Sequence, residues 1–184
     1  MSGEPRLVAT PSQTVGPFFH FGLADISSLG TVAPPGASGQ RIRLRVHVSD
    51  GDGQAVPDAL VEVYQADADG VYGRAEFPGF GRQPTGADGA CVFDTIRPGA
   101  VAHHDGPRQA PHINVCLLAR GLLRQVYTRM YFEGDAALGG DAVLALVPAE
   151  RRDTLIARPV PGEPDTWAFA IRLQGAGETV FFDL

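Results

Sequence analysis

The sequence predicts an all-β fold: a β-sandwich with long irregular loops, an extended N-terminal arm and minor helix. Short segments of alternating polarity recur along the chain, separated by turn residues every ten residues or so. Glycine and proline are abundant, 23 and 15 in 184 residues, which favours turns and irregular connections over long helices. A chain of this length can bury roughly 70% of its unfolded surface, enough for one real core.

Residues 1–40 carry little periodicity. "TPSQTVGPFFHFGL" (10–23) is aromatic-rich and "GTVAPPGASG" (30–39) is a loop by composition. The expectation is an ordered but irregular arm over 1–40 and a sandwich over 41–184. Phe18, Phe19 and Phe21 of the arm need a surface to bury against.

"RIRLRVHV" (41–48) alternates strictly, with Ile42, Leu44, Val46 and Val48 on one face and three arginines and His47 on the other. That is a half-buried strand with a solvated arginine stripe. "ALVEVYQA" (59–66) is the next strand, followed by the turn "DADG". A glycine- and proline-rich connection runs from about Val71 to Gly89. "ACVFDTI" (90–96) is a strand, and 100–111 is a second long loop. "HINVCLLA" (112–119) and "LRQVYTRMYF" (123–132) form two strands around Arg120-Gly121. "GGDAVLALV" (139–147) is a short helix, "RRDTLIARPV" (151–160) includes a strand, and "TWAFAIRL" (166–173) alternates as another.

Several chemistries are excluded. The net charge of −6 argues against general nucleic-acid binding. All 15 basic residues are arginine, so neither a Schiff-base lysine nor a Walker A lysine exists. There is no G-x-S-x-G, P-loop or Rossmann glycine fingerprint, and no Cys-x-x-Cys. "SDGDG" and "ADADG" lack the twelfth-position glutamate of a calcium loop and read as turns. Cys91 and Cys116 sit in apolar runs and read as buried free thiols. With no signal-like region and no apolar run of transmembrane length, the expectation is a soluble cytoplasmic protein.

Histidine is the informative residue. His112 and Asn114 stand at i and i+2 of one strand and so share a face. Two histidines there would read as metal ligands, but asparagine is a weak ligand for a transition metal. His103, His104 and Asp105 could join His112 in a two-histidine, one-carboxylate site. On residues alone, a satisfied core histidine explains His112 as well as a ligand does.

Seven segments, in order, carry a resemblance: "TPSQTVGPFFH" (10–20), "VEVYQADADGVY" (61–72), "IRPG" (96–99), "APHINV" (110–115), "TRMYFEGD" (128–135), "RRDTLIA" (151–157) and "GETVFFD" (177–183). Together they resemble the intradiol ring-cleaving dioxygenases over essentially the whole chain. The resemblance implies a β-sandwich and a non-haem Fe(III) held by two tyrosines and two histidines; phenolate ligands suit so hard an ion. It implies a catechol substrate and O2.

Carried over position by position, most of that site is missing. Tyr72 matches the first tyrosine ligand, and Val101 stands at the second. His112 matches the first histidine, Asn114 replaces the second, and Gln109 replaces an assisting arginine. The chain therefore resembles the iron-free member of two-chain enzymes, in which a partner β chain keeps the Fe(III) and its full ligand set. This chain would then contribute no catalytic or metal residue of its own. The resemblance implies that Thr14, Gly16, Pro17 and Phe18 line the partner's cavity and that Arg129 contacts a carboxylate-bearing substrate, since a guanidinium pairs bidentately with a carboxylate. Two other readings stand beside it: a stand-alone β-sandwich binding module, and a rearranged iron site using Tyr72, His112 and His103 or His104.

Overall fold

The structure, a computed structural model, describes residues 9–23, 27–103 and 106–183. Ten strands carry the fold: β1 (Arg41–Ser49), β2 (Leu60–Gln65), β3 (Phe80–Pro84), β4 (Ala90–Ile96), β5 (Val101–His103), β6 (Gly106–Gln109), β7 (His112–Leu118), β8 (Val126–Phe132), β9 (Ile156–Pro159) and β10 (Thr166–Arg172). Among the described residues, helix is confined to α1 (Pro17–Leu23), α2 (Ala142–Ala145) and three 3-10 turns.

Eight strands follow one another in the order β3-β2-β7-β8-β9-β10-β1-β4. The short β9 is the seam, pairing parallel with β8 and antiparallel with β10. It divides the run into a β3-β2-β7-β8 layer and a β10-β1-β4 layer. The inward residues of both layers form one core: Leu44, Val46, Phe93 and Phe169 from one side, Val63, Val115, Met130 and Phe132 from the other. Two layers closed on a shared core make the arrangement sandwich-like, as the alternation requires. β1 shows the logic directly, since every second residue from Ile42 to Val48 is buried.

The arginine stripe of β1 is a solvated face. Arg43 pairs with Asp94 at 3.0 Å, directly across the ladder on β4, and Arg45 pairs with Glu163 at 2.9 Å. The arm is not detached from the sandwich: Val32 and Ala33 are buried, and Thr31 bridges to Asp94.

Five local expectations need correction. The arm holds a helix, α1, opened by Pro17, whose ring presets the first helical φ. The connection after Val71 contains β3, and the 100–111 loop folds back as the β5–β6 hairpin. The helix expected over 139–147 is only α2, preceded by a 3-10 turn. Cys116 is half-buried rather than buried, because it shares the outward face of β7. Among the described residues, no helix is long and apolar enough to cross a membrane.

Candidate functional site

The pleat of β7 sends Ile113, Val115 and Leu117 into the core and turns His112, Asn114 and Cys116 outward. His112 is nonetheless only 1% exposed. A second apolar cluster of Ala110, Tyr131, Leu144, Val147 and Leu155 packs behind it, with the Tyr131 ring 6.0 Å away. Tyr72 arrives on the loop after β2 and lies against Tyr64, ring centroids 5.0 Å apart.

The register then assembles the site. Asn114 stands opposite Tyr64 on β2 and opposite Arg129 on β8. Val101 opens β5 directly across from Gln109, the end of β6. A single hydrogen-bond chain runs through these positions. Arg129 donates from Nη1 to Gln109 Oε1 at 2.8 Å and from Nε to Asn114 Oδ1 at 3.2 Å. Asn114 Nδ2 donates to the Tyr72 hydroxyl at 2.9 Å. His112 Nδ1 lies 2.7 Å from the Ala110 carbonyl, which can only accept, so the proton sits on Nδ1. The Nε2 lone pair is then free to accept from the Tyr72 hydroxyl at 3.1 Å. Every donor is aimed the same way, from the guanidinium toward the Ala110 carbonyl, so each bond polarises the next.

Asp141 closes the arrangement from below. It is buried, and accepts from the Ala110 amide at 2.8 Å, the Tyr131 hydroxyl at 3.0 Å and the Leu144 amide at 2.7 Å. One carboxylate thus fixes the approach to β7, the end of β8 and the start of α2. The helical N-cap position of Asp141 is visible in the sequence, but its reach to Ala110 and Tyr131 is not.

Burial sets the protonation states. It pushes the Tyr72 hydroxyl above its ordinary value, and the Asn114 bond and the Arg129 charge only partly oppose this. Burial also pulls His112 down to about 4, reinforced by the Arg129 charge. The Ala110 bond and the Asp141 charge work against that shift. Near neutral pH the cluster is therefore a phenol and a neutral imidazole beside one guanidinium.

A groove of about 530 Å³ lies over this outer face, lined by Tyr64, Phe80, Asn114, Tyr127, Arg129 and Phe182 among others. Its walls are chiefly apolar. Glu62, also on the wall, is paired with Arg82 at 2.7 Å. Arg129 has no direct carboxylate partner among the described residues; Gln109 and Asn114 are neutral, and Asp141 connects to it only through Tyr131.

Two chains, the protocatechuate 3,4-dioxygenase alpha chains of Burkholderia cepacia and Pseudomonas putida, are 43% and 42% identical to this one. The alignments cover 97% and 96% of this chain and 98% and 97% of those. A family model described as "Dioxygenase" matches residues 16–175. The chain belongs to the intradiol dioxygenase family. The protocatechuate 3,4-dioxygenase beta chain of Burkholderia cepacia is 36% identical over 65% of this chain and 56% of its own length. The dioxygenase domain of a carbohydrate-binding fusion protein from Streptomyces sp. SirexAA-E shares the fold, with a TM-score of 0.64, 23% identity, and 95% and 96% of the two chains covered.

Intradiol dioxygenases use non-haem iron, and the four positions carried over from the family's ligands, Tyr72, Val101, His112 and Asn114, do not fit one. Of the four carried-over positions, a valine offers no donor and an amide is a weak one. The two remaining ligand types are committed: the Tyr72 hydroxyl keeps its proton and donates a hydrogen bond to the His112 lone pair. Among the described residues, no group of three His, Cys, Asp or Glu could hold a metal. His103 ends β5, and its side chain lies outside the described residues, as do His104 and Asp105; the rearranged site built on them falls there too.

Of the substrate-contact residues expected from the sequence, Thr14 and Arg129, whose side chains are described, are not brought together. Thr14 is exposed and accepts from the Gly121 amide at 2.9 Å, at the turn joining β7 to β8. Gly16 is exposed, and its carbonyl accepts from Phe19 at 3.0 Å. Pro17 and Phe18 open α1, and their side chains lie outside the described residues. Arg129 is three residues into β8, about 10 Å along the strand from its start, and Thr14 bonds the turn that precedes that strand.

Proposed function

We propose that this chain is the iron-free α subunit of a protocatechuate 3,4-dioxygenase. It works with a β chain that holds the Fe(III), and the assembly cleaves 3,4-dihydroxybenzoate between its hydroxyl-bearing carbons, with O2, to 3-carboxy-cis,cis-muconate. The observation that carries this reading is the union of two facts: full-length identity of 43% to an α chain, and a ligand set whose lone pairs are spent on an internal hydrogen-bond chain. A subunit kept over its whole length without a metal site has its work at a surface. In this reading the arm around Thr14, Gly16, Pro17 and Phe18 and the Arg129 region contact the β chain's cavity. A guanidinium without a carboxylate partner among the described residues suits a substrate that carries a carboxylate. The two free thiols, Cys91 and Cys116, suit the reducing cytoplasm.

Oxygen uptake with protocatechuate tests the reading. The chain co-expressed with its cognate β chain is expected to purify as one assembly whose rate exceeds that of β alone. A β chain that is fully active, stable and never associates with this one overturns it.

A further inference from the structure

We infer that Arg129 is the residue that closes this chain to metal: its guanidinium stands in for the missing cation, and Gln109 and Asn114 are its fitted partners. The inference rests on Tyr72, Val101, His112 and Asn114 being former ligand positions and does not involve the β chain, so its failure leaves the oxygen-uptake test intact.

The argument begins with donors and acceptors. An arginine side chain offers only donors, so whatever surrounds it must accept. Two of the three residues that depart from the family's site set, Gln109 and Asn114, each place an amide oxygen on Arg129, at 2.8 and 3.2 Å. The third, Val101, is directly opposite Gln109 and offers neither a ligand nor a hydrogen-bonding atom in its side chain. An arginine at 109 would set two guanidinium groups against each other. A metal-bound histidine at 114 would give its lone pair to the ion and keep a proton on its other nitrogen. That proton would meet the Arg129 Nε–H, donor against donor. Asparagine is the residue that satisfies both neighbours, accepting from Arg129 and donating to Tyr72.

Charge points the same way. The guanidinium is two hydrogen bonds from the Tyr72 oxygen, in a partly buried site where like charges repel with little screening. An incoming Fe(III) would meet that repulsion and would also have to break the Tyr72–His112 bond. Restoring ligand side chains alone is therefore insufficient; the cation must also leave.

The test uses the full chain and ferric ion alone as the probe. One protein carries V101Y and N114H, so that Tyr72, the new tyrosine, His112 and the new histidine are all present. A second adds Arg129→Met, and a third adds Arg129→Lys, which keeps the charge. Iron content after desalting and the visible tyrosinate-to-iron absorption are read, with circular dichroism to check folding; Arg129→Gln, neutral and of similar reach, replaces methionine if that variant does not fold. The neutral variant is expected to bind Fe(III) at least about tenfold more tightly than the V101Y/N114H protein. The lysine variant is expected to remain with the weak binder. Equal iron binding with and without Arg129, or no binding in either, overturns the inference.

Discussion

His112 is a neutral imidazole with both ring nitrogens committed, one donating to Ala110 and one accepting from Tyr72. Protonation would leave two donors facing each other across 3.1 Å, inside an apolar setting. The folded pKa of about 4 lies below the ordinary 6.5, so between these values the unfolded chain binds the proton and the folded chain does not. Stability is therefore full above about pH 6.5 and falls as the pH drops toward 4, by roughly 3 kcal/mol over that window from this group. Urea denaturation of the wild type and of His112→Gln at pH 7 and pH 4.5 checks it. The variant is expected to lose this component of the slope; identical slopes contradict the assignment. Asp141 is the second residue of consequence. Its side chain satisfies the Ala110 and Leu144 amides and the Tyr131 hydroxyl away from water. Asp141→Ala leaves all three unpaired, and a loss of at least about 3 kcal/mol in unfolding free energy is expected from chemical denaturation.

Among the elements, β3 is the one whose position depends on a missing side chain. A Cβ at Gly81 would stand 2.5 Å from Val32 Cγ2 and 2.9 Å from the Leu29 carbonyl, so the strand and the arm touch backbone to backbone. Gly81→Ala should push them apart and destabilise the chain by about 1–3 kcal/mol, measured by the same denaturation experiment. The surface of β1 should behave oppositely. Arg43 and Asp94 are both more than half exposed, and a double-mutant cycle is expected to give a coupling below about 1 kcal/mol. These two strands also mark what the sequence reveals. β1, β2, β4, β7, β8 and β10 are legible because one face of each is buried and the period of two survives. β3 reads "FGRQP", with a glycine demanded by the arm and a proline at its end, so no alternation shows. The β5–β6 hairpin is built from residues that read as loop. At the site, the shared face of His112 and Asn114 follows from strand period alone. That Arg129 faces Asn114, and that Val101 faces Gln109, depends on which strands pair and in what register, which no local pattern encodes.

At the scale of the whole molecule, the sandwich presents a largely apolar groove that reaches Asn114, one of the four positions carried over from its family's iron ligands. The scaffold has been kept, while two of the four carried-over ligand positions, Val101 and Asn114, no longer suit a metal. Thr14 of the arm bonds the turn at one end of the β7–β8 pair while Arg129 lies midway along it, so the described atoms do not bring the two to one centre. A partner that supplies the centre gives both of them a purpose. The most direct measurement is the iron stoichiometry of the purified α–β assembly and of this chain alone after exposure to Fe(III). The account predicts one iron for each α–β pair and a colourless, iron-free isolated chain. Two irons per pair, or an isolated chain that takes up iron and shows tyrosinate-to-iron absorption, would contradict it.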